Sequence, residues 1–252
     1  MYNEDDLSLL DAEENLESPL DYMAALDDPA VEAAKPDVEE MLRLLESTNV
    51  LEQMIAARSF CELQDPRAIP LLIQLLCDAC PLMRVSAAYA LGRNPSDSAV
   101  LPLIQQLDQD WNGYVRKGVV WALGNCRDRR VLAPLVDALQ NDISAVRLWA
   151  ASSLGQLSEV AAEVAEAAIP PLIYALKTEP MAPVRSNCAW SLGQLCQAIP
   201  GGETYEQVIL ALIDALQDSD LGVQEDTKNS LLKLSDPTGL QAIEELESMG
   251  LL

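Results

Sequence analysis

The sequence predicts an all-α fold, an α-solenoid of about six helix pairs, and two observations carry the prediction. An apolar-arginine dipeptide returns four times, each time followed at one fixed distance by Leu-Gly: Met83-Arg84 with Leu91-Gly92, Val115-Arg116 with Leu123-Gly124, Val146-Arg147 with Leu154-Gly155, and Val184-Arg185 with Leu192-Gly193. A proline-headed apolar segment alternates with it, marked by Pro70, Pro102, Pro134 and Pro171. The arginines lie 32, 31 and 38 residues apart and the prolines 32, 32 and 37. Periods of this length belong to stacked two-helix units, each of which buries its apolar face only against its neighbours.

The first helix of each unit is read from the proline segment, because proline is tolerated in the first helical turn, where its missing N–H has no partner to lose. The second is read from the arginine segment: the apolar residue before Arg, the small residues three and four places after it and the Leu seven places after it share one helical face. The following Gly is expected to end that helix in a left-handed conformation. An acidic or amide residue lies upstream of each arginine, at Asp78, Asp110, Glu179, and Asn141 or Asp142, in the turn between the two helices. Paired with those turn carboxylates, Arg84, Arg116, Arg147 and Arg185 form a structural ladder that sets the angle between neighbours, in preference to an anion site.

The end units are degenerate, as capping requires. Asp37 to Leu45 and Asn49 to Leu63 read as a first pair, with Ala56 in the arginine place and Gln64 in the glycine place. Val208 to Leu216 and Val223 to Leu234 form the last pair, with Gln224 for arginine and Leu232 for glycine; Leu240, Ile243, Leu246 and Met249 follow as a closing helix. The spacing stretches at Ser158 to Ala168 and at Gln197 to Tyr205, where loops or lengthened helices are expected.

The chain therefore divides into an acidic extension, 1–36, and a repeat body, 37–252. Residues 1–40 hold 14 Asp or Glu against the single Lys35, within a net charge of -24. Such a segment buries too little apolar surface to order itself. It reads either as a solubilising tail or as a docking or self-masking segment carrying Leu9, Leu10, Leu16, Leu20, Met23 and Leu26. Nucleic acid is not expected as a partner, since phosphate binding draws on Lys and Arg that form no visible stripe. No apolar run is long enough for a transmembrane segment, and six cysteines without a secretory signal point to a reducing, cytoplasmic setting without disulfides.

The chain has no histidine, which removes the commonest general base and every His-bound metal. Cys77 and Cys80 have CxxC spacing but supply two ligands where zinc or an iron-sulfur centre generally needs four. No catalytic or metal residue is assigned, and no cofactor is expected. The candidate site is instead a row of aromatics on the second helices: Tyr89, Trp121 and Trp190 five places past their arginines, and Trp149 two places past Arg147. These rings either line a partner-binding groove on the concave face or pack between neighbouring helices.

The pattern V-R-x6-L-G, with its polar turn and its A-x-x-P-L-I segment, resembles the HEAT-like repeat of the phycobilisome (bilin) lyase family over residues 50–235. The length and the opening Asp5-Asp6-Leu7-Ser8-Leu9-Leu10-Asp11 stretch resemble, within that group, the cyanobacterial HEAT-repeat proteins that associate with an IscA-type iron-sulfur scaffold. The resemblance implies a concave groove at Tyr89, Trp121, Trp149 and Trp190. It implies either a non-enzymatic adaptor or assembly chaperone that binds a protein, or one subunit of a bilin lyase handling a tetrapyrrole. Lyase-isomerase members use a motif containing both His and Cys, which a chain without histidine does not carry. A cysteine-bound iron-sulfur cluster is the third reading.

Overall fold

The computed structural model describes residues 36–199 and 201–252; the extension at 1–36 therefore lies, apart from Pro36, outside the described residues. Thirteen α-helices and no strand occur among the described residues. They run as six pairs: α1 (Val38–Leu45) with α2 (Val50–Ser59), α3 (Ile69–Leu75) with α4 (Pro81–Arg93), α5 (Asp97–Gln109) with α6 (Gly113–Cys126), α7 (Leu132–Asn141) with α8 (Ser144–Gly155), α9 (Ala162–Thr178) with α10 (Ala182–Cys196), and α11 (Glu203–Ala215) with α12 (Leu221–Leu234). The closing helix α13 (Pro237–Ser248) buries Ile243 and Leu246 and leaves Met249 exposed.

Five of the six second helices, α4 to α12, present the same buried positions to the core. Met83, Val115, Val146, Val184 and Val223 stand before the arginine place, and Leu91, Leu123, Leu154, Leu192 and Leu231 two turns on. Burying a Val, Leu or Met side chain contributes about 1.5–3 kcal/mol, so this repeated pair anchors every unit after the first. The helix starts are set by polar caps: Asn49, Asn112 and Asp220 accept hydrogen bonds from the first free N–H groups of α2, α6 and α12.

Two of the four prolines lie deeper in their helices than the first turn. Pro70 and Pro134 open α3 and α7, but Pro102 is inside α5, and Pro170 and Pro171 are inside α9. Those helices begin earlier because Ser96 caps α5 and because the alanine-rich run before Pro170 is a strong helix former. The stretch between Ser158 and Ala168 is thus part of a 3-10 turn, Gln156–Glu159, and the lengthened start of α9.

The repeated glycines do not cap helices. Gly92, Gly124 and Gly193 lie within α4, α6 and α10, Gly155 is the last residue of α8, and none has a positive φ; among the described residues φ is positive at Arg127, Ser235, Gly202 and Gly250. Their role is close approach. A Cβ on Gly124, Gly155 or Gly193 would come within 2.7–2.8 Å of Ser153, Ser191 or Ser230 of the next second helix. Each of those serines donates a hydrogen bond to a carbonyl one turn before the glycine: Ser153 to Val120 at 3.1 Å, Ser191 to Ala151 at 2.8 Å and Ser230 to Ala189 at 3.1 Å. Successive second helices therefore pack far more closely than successive first helices.

The arginine ladder exists, with different partners from those the spacing predicts. Arg84 forks onto the carboxylate of Asp110, Arg116 onto Asp142, Arg147 onto Glu179 and Arg185 onto Asp218, each through Nε and Nη2 at 2.6–2.9 Å. Every fork thus reaches the turn of the next unit. To the turn of its own unit the arginine gives Nη1, which donates to the backbone carbonyl of Asp78, Asp110, Asp142 or Glu179 at 2.8–2.9 Å. Six residues of sequence are too short a path for the planar fork to face its own carboxylate, whereas the neighbouring turn lies in line with it.

Counting from the caps also moves the first arginine place. Arg84, Arg116, Arg147, Arg185 and Gln224 all stand four residues past the N-cap, and in α2 that residue is Gln53, not Ala56. Gln53 and Gln224 close the ladder alike, each donating to a backbone carbonyl, of Leu45 at 3.2 Å and of Asp218 at 2.6 Å. By the same count the glycine place of α2 is Cys61 rather than Gln64.

Candidate functional site

Electrostatics first separate structure from site. In the Arg84–Asp110 rung both side chains are almost fully enclosed. Burial alone would raise the Asp110 carboxyl, but the Arg84 guanidinium, the Asn112 N–H and Gln106 outweigh it and hold the group below the usual carboxylate range. For Asp218 the Arg185 hydrogen bond is the leading cause of the same downward shift. With both ends committed, these arginines are positioned as structural members.

The four aromatic positions divide into a packed end and an open end. Tyr89 is only 9% exposed, and its ring lies 5.3 Å from that of Trp121, tilted by 41°. The pair fills the α4–α6 contact, so Tyr89 offers no open face. Trp121 sits over Gly92, where a Cβ would come within 2.4 Å of the indole. Trp149 is half-buried; Lys117 Nζ stands 5.5 Å from its ring centre, and the indole N–H is buried without an acceptor among the described residues. Trp190 is the open member, 39% exposed.

Exposed side chains that the aromatic count misses share the second-helix layer. Leu51, Leu82 and Tyr114 each occupy the second residue of α2, α4 and α6, and they are 69%, 61% and 50% exposed. Ile55 adds to them on α2. The signal was present in the sequence as the residue two past each cap, but it is invisible until the caps are placed. Exposed Leu101, Tyr174 and Leu210 of the first-helix layer fall on α5, α9 and α11, and form no run over three consecutive units. Trp111, on the turn before α6, lies over the Arg84 guanidinium at 6.0 Å.

A cavity of about 540 Å³ opens beside Trp121 at the C-terminal ends of α4 and α6, lined by Gly92, Arg93, Ser96, Asn125, Cys126 and Arg127 among others. Arg93 places its guanidinium 5.6 Å from the Trp121 ring centre, a cation-π arrangement. Arg93 and Arg127 thus share one cavity with Asp97.

Cys77 is exposed and Cys80 is half-buried at the N-cap of α4, its N–H given to Asp78 at 2.7 Å. Among the described residues no group of three or more Cys, Asp or Glu is placed to hold a metal ion. Burial pushes the Cys61 and Cys126 thiols up to about 11 and Cys196 to about 12, which removes thiolate character. No helix among the described residues is long and apolar enough to cross a membrane.

Comparison with known proteins agrees with this architecture. HEAT repeats match residues 38–104 and 100–193, and the PBS lyase HEAT-like repeat matches residues 184–218. No curated protein matches significantly. Among solved structures, the complex of CpcE and CpcF of the phycocyanin lyase from Nostoc sp. PCC7120 aligns with a TM-score of 0.58 at 19% identity, covering 90% of this chain and 98% of that one. A designed armadillo repeat protein in complex with the peptide (KR)4 aligns with a TM-score of 0.57 at 19% identity over 79% of this chain and 99% of that one. An engineered protein aligns with a TM-score of 0.59 at 22% identity over 79% and 98%. These likenesses show the fold.

Proposed function

Because the chain belongs to the HEAT-repeat family, a fold that offers a long surface rather than a single pocket, we propose that it is a non-enzymatic scaffold or assembly chaperone whose second-helix face binds another protein. The partner is an iron-sulfur assembly factor or a component of a photosynthetic complex, as the resemblance of the sequence implies. The observation that carries the reading is the recurrence of exposed Leu51, Leu82 and Tyr114 at one place on the second helices of three consecutive units, with Trp190 further along the layer. Large apolar side chains left in water at regular spacing are typical anchors for a partner. The closer packing of the second helices makes their layer the inner side of any curvature in the stack, which supports the concave placement. The test is co-purification from the native cell with a tagged chain. Leu82→Glu with Tyr114→Glu should abolish recovery of the partner without changing helical content, and unchanged recovery would defeat the reading.

The likeness to the phycocyanin lyase complex favours a second reading, a bilin-handling subunit, in which the Trp121 ring and Arg93 hold a tetrapyrrole as cargo. Co-expression with a bilin source should then give a coloured protein, and a colourless one counts against this reading.

A further inference from the structure

A cavity of about 560 Å³ lies in the first-helix layer, between α5 and α7 and the turns that follow them. Leu101, Ile104 and Pro134 give it an apolar wall, of which Leu101 is exposed. Its charged lining is four aspartates, Asp108, Asp110, Asp137 and Asp142, and one cation, Arg116. Two of the aspartates are committed to the ladder, Asp142 to the fork of Arg116 and Asp110 to that of Arg84. Asp108 and Asp137 remain. Neither makes an ion pair among the described residues, and the one side-chain hydrogen bond either receives there is from Asn141 to Asp137, at 2.8 Å.

Another contact of the same layer shows what fits this place. Lys177 follows the buried Leu176 of α9, Asp214 stands two residues past the buried Leu212 of α11, and the two side chains pair at 3.4 Å. Asp108 follows the buried Leu107 of α5, and Asp137 stands two residues past the buried Leu135 of α7. The places that hold an ammonium and a carboxylate between α9 and α11 thus hold two carboxylates between α5 and α7. Neighbouring like charges repel unless a cation joins them.

We infer that the cavity between α5 and α7 binds a lysine-bearing segment of a partner protein, with the ammonium at Asp108 and Asp137 and an adjoining apolar side chain against Leu101. The lysine stem lies along the wall of Ile104 and Pro134 while its head stays at the carboxylates, the usual division of that side chain between apolar surface and water. The occupant is a peptide rather than a metal ion because no group of three or more acidic or cysteine side chains is placed to hold one among the described residues. It is a peptide rather than a free polyamine because an amine chain alone leaves Leu101 in water. This surface belongs to the first-helix layer, so it is a second contact, separate from the second-helix face of the proposed function.

The test is fluorescence anisotropy on the full chain with labelled (Leu-Lys)3, and with (Ser-Lys)3 and (Leu-Glu)3 as rivals. The first peptide is expected to bind at least tenfold more tightly than either rival. Asp108→Asn with Asp137→Asn should weaken it at least tenfold. Glu166→Gln with Glu244→Gln, the same change of charge away from the cavity, should leave it unchanged, which separates a site from the general attraction of a chain of net charge -24. Asp108→Lys, which places an ammonium where α9 has Lys177, should abolish binding with helical content unaltered. No binding of (Leu-Lys)3, equal binding of (Ser-Lys)3, equal weakening by the two pairs of amide variants, or displacement of the peptide by equimolar spermidine or calcium would each overturn the inference. If the peptide fails while Leu82→Glu with Tyr114→Glu still abolishes partner recovery, the scaffold reading stands and only this second contact falls.

Discussion

The contact of α4 with α6 and the three later contacts of second helices solve one problem in two ways. At Gly124, Gly155 and Gly193 a serine of the next helix drops onto the glycine and bonds to the carbonyl beneath. At Gly92 the serine place holds Ala122, and the indole of Trp121 covers the glycine instead. The later contacts repeat one arrangement. The earlier one leaves a cavity bordered by an aromatic face and two arginines. A repeat protein built from one rule shows its special surface where the rule is broken, because a uniform contact distinguishes no place along the stack.

The ladder is common to both kinds of contact, so its loss sets the scale against which they are compared. Arg84→Met should be the most damaging change, costing about 3–5 kcal/mol, because Asp110 is left enclosed without its counter-ion. Arg185→Met should cost less, since Asp218 retains more access to water. Chemical denaturation of the two variants measures both, and equal losses would show that enclosure does not govern the rungs.

Next in size are the glycines. Gly92→Ala and Gly155→Ala should each cost about 1–3 kcal/mol through overpacking, but they should respond differently to a second change. Removing the ring with Trp121→Ala clears the two nearest atoms at Gly92 and should restore much of the loss. Ser191→Ala leaves a Cβ at 2.9 Å and a Cα at 3.0 Å from the new methyl group at Gly155, and should restore little. A double-mutant cycle with equal coupling at both sites would erase the distinction between the two contacts.

What the sequence made legible follows from period. A 32-residue spacing and the Arg-x6-Leu-Gly distance located the helix pairs and the core positions, because those depend on which residues recur. Partners across units were not legible. The fork of Arg84 reaches Asp110, 26 residues away, rather than Asp78, and Gly92 serves an approach to Trp121 rather than a cap; both are facts of the neighbour's placement. The aromatic row was visible as a list, but whether a ring is sealed, as Tyr89 is, or open, as Trp190 is, depends on how closely adjacent helices meet. The cavity beside Trp121 was hidden because Gly92, Arg93 and Arg127 come together only at helix ends.

The smallest effect is the response to acid, and it distinguishes the ladder at the special contact from the ladder elsewhere. Asp110 and Asp218 are both held below the ordinary carboxylate range. Their contribution is therefore fully present above the unfolded carboxylate pKa of about 4 and is lost as pH falls through the lowered native values. Thermal unfolding should accordingly occur at lower temperature at pH 3 than at pH 5, by roughly 2–4 °C for each kcal/mol lost. Arg185→Gln should flatten that fall by removing the leading cause of the shift at Asp218. Arg84→Gln should flatten it further, because at Asp110 the largest single influence is burial, which acts in the opposite direction and is then opposed only by Asn112 and Gln106. Two variants with the same acid limb as the parent protein would mean that neither rung loses its charge in that range.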